Sequence, residues 1–123
     1  MKIISTKKAP AAVGPYSQGI KVGDFVFTSG QLSLDPETGK LVDEIKAATL
    51  RSLTNVEEIL KEAGSDRTKI VKVNIFLADI NDFAAVNEVY TEFFGEHKPA
   101  RSCVEVACLP MNGLIEIEAI AKA

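Results

Sequence analysis

The chain has 123 residues, of which 46% are hydrophobic and 25% charged, and its formal net charge is −3. This composition predicts one soluble globular domain over residues 1–123. The basic residues are scattered, and no apolar run reaches the roughly 18 residues that a membrane span needs. We therefore expect a cytoplasmic protein with neither a nucleic-acid partner nor a membrane partner.

Histidine and cysteine, the usual ligands of zinc, are few in this chain. His97 is the single histidine, and the two cysteines, Cys103 and Cys108, have no zinc-site spacing. On one strand the two cysteines would point to opposite faces, so we expect reduced thiols rather than a disulfide. The sequence thus favours neither a metal centre nor a histidine-based triad.

Short strand patterns fill the N-terminal third of the chain. Residues 2–6 resemble a strand, and residues 17–22 and 25–29 are two more, joined by a Gly23-Asp24 turn that is typical of a hairpin. Gly30 follows the last of them. It is either a turn or bulge glycine, or a position where another backbone or a ligand approaches closely.

From Asp43 the apolar spacing changes to three and four residues and predicts a helix of about twenty residues, ending near Gly64. Its charged face is interpreted as solvated and includes Arg51, Glu57, Glu58 and Lys61. Residues 70–78 are rich in β-branched residues and predict a central buried strand.

A second helix is predicted over residues 82–94, with Asn81-Asp82 offering the N-cap. Its aromatic stripe is interpreted as core packing against the sheet rather than a base-stacking platform. The order of strands and helices indicates an α+β fold in which both helices cover one face of the sheet.

Two alternating segments close the chain, residues 99–106 and 114–121, and a turn through residues 109–113 could join them as a hairpin. Hydrophobicity assigns Val104, Val106, Ile115 and Ile117 to the face covered by helices. The opposite face would then carry the polar set Arg101, Cys103, Glu105, Glu116 and Glu118. We expect that face to be partly buried in a symmetric oligomer.

Several of these side chains could carry chemistry. Arg101 can bind a carboxylate bidentately, or it can form a salt bridge with Glu116 or Glu105. Glu116 is a candidate general base or an outward-facing glutamate, and Tyr16 is a cleft hydroxyl or an ordinary half-buried aromatic residue. Cys103 has no neighbouring histidine to activate it, so its backbone is expected to matter more than its sulfur.

The motifs Pro99-Ala-Arg-Ser-Cys-Val-Glu-Val106, Leu109-Pro110 and Ile115-Glu-Ile-Glu118 resemble the signature of the YjgF/RidA family of enamine/imine deaminases. Residues 9–19 and 28–31, together with Asn81-Asp82-Phe83, Val86-Asn87 and Tyr90, extend the match over essentially the whole chain. The resemblance implies a chorismate-mutase-like fold with a mixed β-sheet, assembled as a homotrimer with clefts between subunits. The implied reaction converts 2-iminobutanoate and 2-iminopropanoate to 2-oxo acids and ammonia without a cofactor.

The resemblance also implies roles for individual residues. Arg101 would bind the substrate carboxylate, Glu116 would activate the attacking water, and the Cys103 carbonyl would help to hold that water. The cleft would further include Tyr16, Ser29, Gly30 and Asn87. Cys108 departs from the arginine that many relatives carry before Leu-Pro, which bears on substrate range. The alternatives are a regulatory trimer that binds small carboxylates without turnover and, against the acidic charge, a ribonuclease or translation inhibitor.

Overall fold

The computed structural model describes residues 1–123 and consists of a seven-stranded mixed sheet and two helices. The elements in chain order are β1 (Lys2–Ile4), β2 (Gly19–Val22), β3 (Phe25–Thr28), β4 (Gln31–Leu32), α1 (Ile45–Glu62), β5 (Ile70–Leu77), α2 (Phe83–Phe94), β6 (Ala100–Glu105) and β7 (Ile115–Lys122). The expected α+β architecture is confirmed. Neither helix is long and apolar enough to cross a membrane.

The strands are arranged in the order β1-β2-β3-β7-β5-β6, and β4 also pairs with β7. Only β5 and β6 run parallel, since α2 connects them as a crossover, and every other pairing is antiparallel. The predicted hairpin between residues 99–106 and 114–121 is therefore wrong. Strand β5 lies between these two segments, and β6 is an edge strand.

Both helices cover the same face of this sheet. Ile75 on β5 and Ile117 on β7 are fully buried against Leu53 of α1 and Val86 of α2, all in one core cluster. The alternating pattern of β7 explains this arrangement, because every second residue from Ile115 to Ala121 is buried.

The face predicted for β6 is wrong. Arg101 is in register with Val73, and Cys103 with Ile75, which are buried residues on the side of the helices. Since paired residues point to the same side of a sheet, Arg101, Cys103 and Glu105 lie on the helix-covered face. Val104 lies on the open face, where it is 47% exposed. An edge strand has only one neighbour, so its hydrophobic residues are weak indicators of the core side.

The helix ends follow the sequence in part. Glu44 caps α1 through its carboxylate, and Gly64 follows the helix with φ +87°, as the glycine position predicts. Asp82 occupies the N-cap position of α2, within the predicted Asn81-Asp82 pair, but its side chain makes no cap hydrogen bond. Asp79 instead caps a short 3-10 turn, Ile80–Asp82, just before α2.

Glu57 corrects the interpretation of the charged face of α1. It is only 5% exposed and forms an ion pair of 2.6 Å with Arg67, whose guanidinium also donates to the Phe93 carbonyl. This pair ties the loop after α1 to both helices, and its carboxylate is buried, so Glu57 is not solvated.

Candidate functional site

A cleft opens on the uncovered face of the sheet and has a volume of about 640 Å³. We call it the Glu116 cleft. Its polar lining is Tyr16, Ser29, Gly30, Gln31, Glu116 and Glu118, and its apolar lining includes Pro10, Val13, Leu34 and Met111. A pocket with a largely apolar wall and few convergent polar groups is typical of a small-molecule site.

Gly30 lies directly against the carboxyl group of Glu116. Strand β4 pairs with β7 so that Leu32 is opposite Glu116. A Cβ atom added at Gly30 would lie 2.8 Å from both Cδ and Oε1 of Glu116. The group that approaches Gly30 is therefore the Glu116 side chain, which differs from the backbone or ligand that the sequence suggested.

The environment of Glu116 favours its neutral form. Burial raises the pKa of the Glu116 carboxyl, and the charge of Glu118 raises it further. Glu118 is itself held by Asn74, which donates to its Oε2 at 3.0 Å. A carboxylate whose pKa is raised is a stronger base than an ordinary glutamate, which suits it to taking a proton from water.

One wall of the Glu116 cleft is held by Gln18, a residue that the sequence did not single out. Its amide donates to the Pro10 carbonyl at 2.7 Å and also contacts Thr6 and Ala9. The Ser29 hydroxyl donates to the Ser17 carbonyl at 2.6 Å. These bonds fix the loop that carries Tyr16. A glutamine among loop residues gives no sequence signal for such a role.

Arg101 lies on the other side of the sheet, in a setting that we call the Arg101 cradle. It is formed by α2 residues Phe83, Asn87 and Tyr90. The guanidinium donates to Asn87 Oδ1 at 2.7 Å and lies 4.7 Å from the Tyr90 ring centre and 5.5 Å from that of Phe83. The ion pairs of the chain involve Lys46, Lys61 and Arg67, and not Arg101.

The salt bridge that the sequence allowed between Arg101 and a glutamate is therefore not formed within the chain. Glu105 accepts a hydrogen bond from the Ile80 backbone N–H at 2.9 Å instead. A guanidinium without a carboxylate partner can bind an anion bidentately.

Cys103 is half-buried beside the hydrophobic core, two residues after Arg101. Burial raises the pKa of its thiol, and the nearby Arg101 charge opposes that effect only in part. A thiol of this kind is a poor nucleophile at neutral pH. The Nε2 atom of His97 is hydrogen-bonded to the Ile70 carbonyl at 2.7 Å. No group of three or more His, Cys, Asp or Glu residues is placed to hold a metal ion.

The predicted site residues thus fall into two groups. Tyr16, Ser29, Gly30 and Glu116 meet in the Glu116 cleft, whereas Asn87, Arg101 and Cys103 meet on the helix-covered side of edge strand β6. The expectation that Arg101 and Glu116 share one face of the sheet is wrong. Within one chain they point to opposite faces, because parallel pairing sets Arg101 beside Val73 and antiparallel pairing sets Glu116 beside Phe76.

Comparison with known proteins gives matches over nearly the full length. The family model described as Endoribonuclease L-PSP matches residues 6–123. A RutC family protein of Pyrococcus abyssi is 55% identical over 98% of this chain and 95% of its own length. A Salmonella typhimurium protein named 2-iminobutanoate/2-iminopropanoate deaminase is 52% identical over 98% of this chain and 96% of its own length. The crystal structure of Escherichia coli TdcF with bound serine is 48% identical, with a TM-score of 0.97 over 100% of this chain and 99% of that one.

Proposed function

Because this chain belongs to the YjgF/RidA family, we propose that it is a deaminase that hydrolyses 2-iminobutanoate and 2-iminopropanoate to 2-oxo acids and ammonia. One observation carries the proposal. The chain offers an unpaired guanidinium, Arg101, and a carboxyl group of raised pKa, Glu116, and a 2-imino acid needs both. Its carboxylate needs an anion site, and its C2 carbon needs an activated water.

The active unit in this proposal is a homotrimer whose sites lie between subunits. Arg101 and Glu116 cannot reach one small substrate from opposite faces of the same sheet. If edge strand β6 of one subunit packs on the open face of the next, the two groups converge. Such a contact joins two different surfaces, and a contact of this type forms a ring when the rotation between subunits closes, here after three subunits. The exposed aromatic residues Phe25 and Phe27 on the open face, 45% and 42% exposed, support burial there.

The reaction follows from these groups. Arg101 binds the substrate carboxylate, and Glu116 in its ionised form takes a proton from a water as the oxygen bonds to C2 of the iminium. Glu116 then returns the proton to the amino nitrogen of the carbinolamine. The C–N bond breaks and releases ammonia, and the ionised Glu116 accepts the hydroxyl proton as the carbonyl forms. Transfer of that proton to the ammonia regenerates Glu116, so that iminium and water become a 2-oxo acid and ammonium.

The remaining residues have supporting roles in this proposal. The Cys103 backbone carbonyl helps to hold the water, while its thiol stays protonated. Asn87 fixes Arg101, and Tyr16, Ser29 and Gly30 form the wall beside Glu116. The reaction as written requires no cofactor, since an iminium carbon is already electrophilic.

A second candidate function is binding of small carboxylates without turnover, as in a regulatory trimer. The serine in the Escherichia coli TdcF structure favours a site for small amino acid-like molecules. A non-catalytic site has use for Arg101, but it has less use for a carboxyl group of raised pKa pressed against Gly30. Retention of both groups therefore favours the enzyme.

The test couples the protein to a pyridoxal-phosphate dehydratase that releases the imine from threonine or serine, with semicarbazide competing for the imine. Less semicarbazone is expected with wild type, and no such decrease with Arg101→Ala or Glu116→Ala. The exposed sites Lys40→Ala and Glu62→Gln serve as charge-matched controls and should behave as wild type.

One outcome would contradict the deaminase, and a second would revive the nuclease. Unchanged semicarbazone with wild type, together with calorimetric binding of 2-oxobutanoate, would favour the non-catalytic trimer. Ribonuclease activity that survives in both Arg101→Ala and Glu116→Ala would instead point to the nuclease in the description of the family model.

A further inference from the structure

The chain has two arginines that lie over aromatic rings, and they differ in charge balance. Arg67 lies 3.8 Å from the Phe93 ring centre and forms an ion pair with Glu57 at 2.6 Å. Arg101 lies 4.7 Å from the Tyr90 ring centre and has no carboxylate partner. The charge of Arg67 is neutralised by Glu57 in a structural contact, whereas the positive charge of Arg101 remains free beside an open pocket.

Helix α2 forms the cradle by its spacing. Phe83, Asn87 and Tyr90 are separated by four and then three residues, so they lie on one face of the helix. That face is opposite Arg101 on β6. One guanidinium N–H is used by Asn87, and the other donors remain for a ligand.

The Tyr90 hydroxyl takes no part in this contact. It is buried without any hydrogen-bond partner, in a side chain that is only 9% exposed, and burial raises its pKa. What Tyr90 offers to Arg101 is therefore the face of its ring. A ring face attracts a cation without neutralising it, which a carboxylate would do.

We propose that Tyr90 is a positioning residue whose ring fixes the Arg101 guanidinium for the substrate carboxylate while leaving its charge available. Strand β6 is an edge strand, so Arg101 has no second strand beside it to restrict its side chain. The proposal rests on the proposed function, because it assigns the ligand of Arg101.

The experiment compares Tyr90→Leu, which removes the ring, with Tyr90→Phe, which removes only the unpaired hydroxyl. Phe93→Leu is the matched control, since it removes the ring beneath the other arginine. The readouts are the dissociation constant for 2-oxobutanoate by calorimetry, KM and kcat for imine hydrolysis, and the thermal midpoint.

Tyr90→Leu is expected to weaken 2-oxobutanoate binding and raise KM by roughly 2- to 30-fold, with a much smaller change in kcat. Tyr90→Phe should restore the dissociation constant that the leucine variant loses. Phe93→Leu should lower the thermal midpoint at least as much as Tyr90→Leu without weakening binding. This contrast separates positioning from stability.

An unchanged dissociation constant in Tyr90→Leu would overturn the proposal, as would an equal loss of binding in Phe93→Leu. Wild type that binds 2-oxobutanoate without hydrolysing imines would refute the deaminase, while the binding data would still decide the role of Tyr90. Wild type that binds no small carboxylate would refute both.

Discussion

Arg101 and Glu116 extend from opposite faces of the same sheet. Arg101 is in register with the buried Val73, and Glu116 is in register with Phe76 on the open side. Val73 and Phe76 are both on β5 and are separated by three positions, and an odd separation reverses the side. A substrate that needs both groups must therefore be bound by two chains.

Gly30→Ala should impair catalysis more than stability. The added methyl would lie 2.8 Å from the Glu116 carboxyl, which is the flexible end of its side chain and can move. A displacement of about 1 Å at a catalytic group can cost roughly 100-fold in rate, so kcat should fall by about that factor. Circular dichroism should show an unchanged fold.

Gly113→Ala is the control for crowding at the same cleft, because its methyl would contact Leu32 at 3.0 Å rather than the carboxyl. It should retain kcat within about threefold of wild type. Equal losses in the two variants would argue against displacement of Glu116 as the cause.

The local patterns of the sequence predicted much of this molecule. The period of α2 and the alternation of β7 both depend on neighbours in the chain. These features express local geometry, which periodicity reports directly.

The pairing of β6 could not be predicted in the same way. Turn residues at 109–113 are compatible with a hairpin, but a long-range crossover through α2 sets β6 beside β5 and sends β7 to the other side. That topology, and not the residues of β6, decides which of its side chains face the helices. The hydrophobic Val104 is exposed, whereas the charged Arg101 lies over the Tyr90 ring of α2. The division of the site into two groups was missed for this reason.

Glu118→Gln should move the acid limb of the kcat/KM profile to lower pH. Burial raises the pKa of Glu116 first, and the Glu118 charge raises it further, so removing that charge lowers it. Glu116 must be ionised to accept a proton, and ionisation would then occur at lower pH. Glutamine keeps an oxygen that can accept from Asn74.

The measurement compares the pH profile of kcat/KM for wild type with that for Glu118→Gln. Glu62→Gln, at an exposed position, is the control. A limb that stays in place would mean that Glu116 is not the group that titrates. A limb that moves to higher pH would contradict the sign of the interaction.

Glu57→Gln should destabilise the fold by about 2 kcal/mol, since it breaks a largely buried pair whose arginine is partly exposed. Burial alone would raise the pKa of Glu57, but hydrogen bonds and charge from Arg67 outweigh it and lower the pKa. A lowered folded-state pKa gives stability that is present above the unfolded-state pKa and lost as pH falls through the folded-state value.

Urea unfolding at a fixed subunit concentration measures this difference, which should be largest near pH 7 and shrink in acid. Glu58→Gln is the matched control, because its ion pair with Lys61 is long, at 3.9 Å. It should change the free energy of unfolding by less than about 0.5 kcal/mol. A difference between Glu57→Gln and wild type that grows in acid would contradict the assignment.

Mixed oligomers test the division of the site between chains most directly. Arg101→Ala and Glu116→Ala subunits, each inactive alone, are unfolded together in equal amounts and refolded. If each site takes Arg101 from one chain and Glu116 from its neighbour, random mixing gives an intact pair at about one site in four. Activity should return to about a quarter of wild type, in particles of about three times the 13.3 kDa chain mass by sedimentation.

Mixing the proteins without unfolding should restore no activity at first, and activity should rise only as subunits exchange. No recovery in refolded particles of the correct mass would mean that both groups act from one chain, which the register of β5, β6 and β7 opposes.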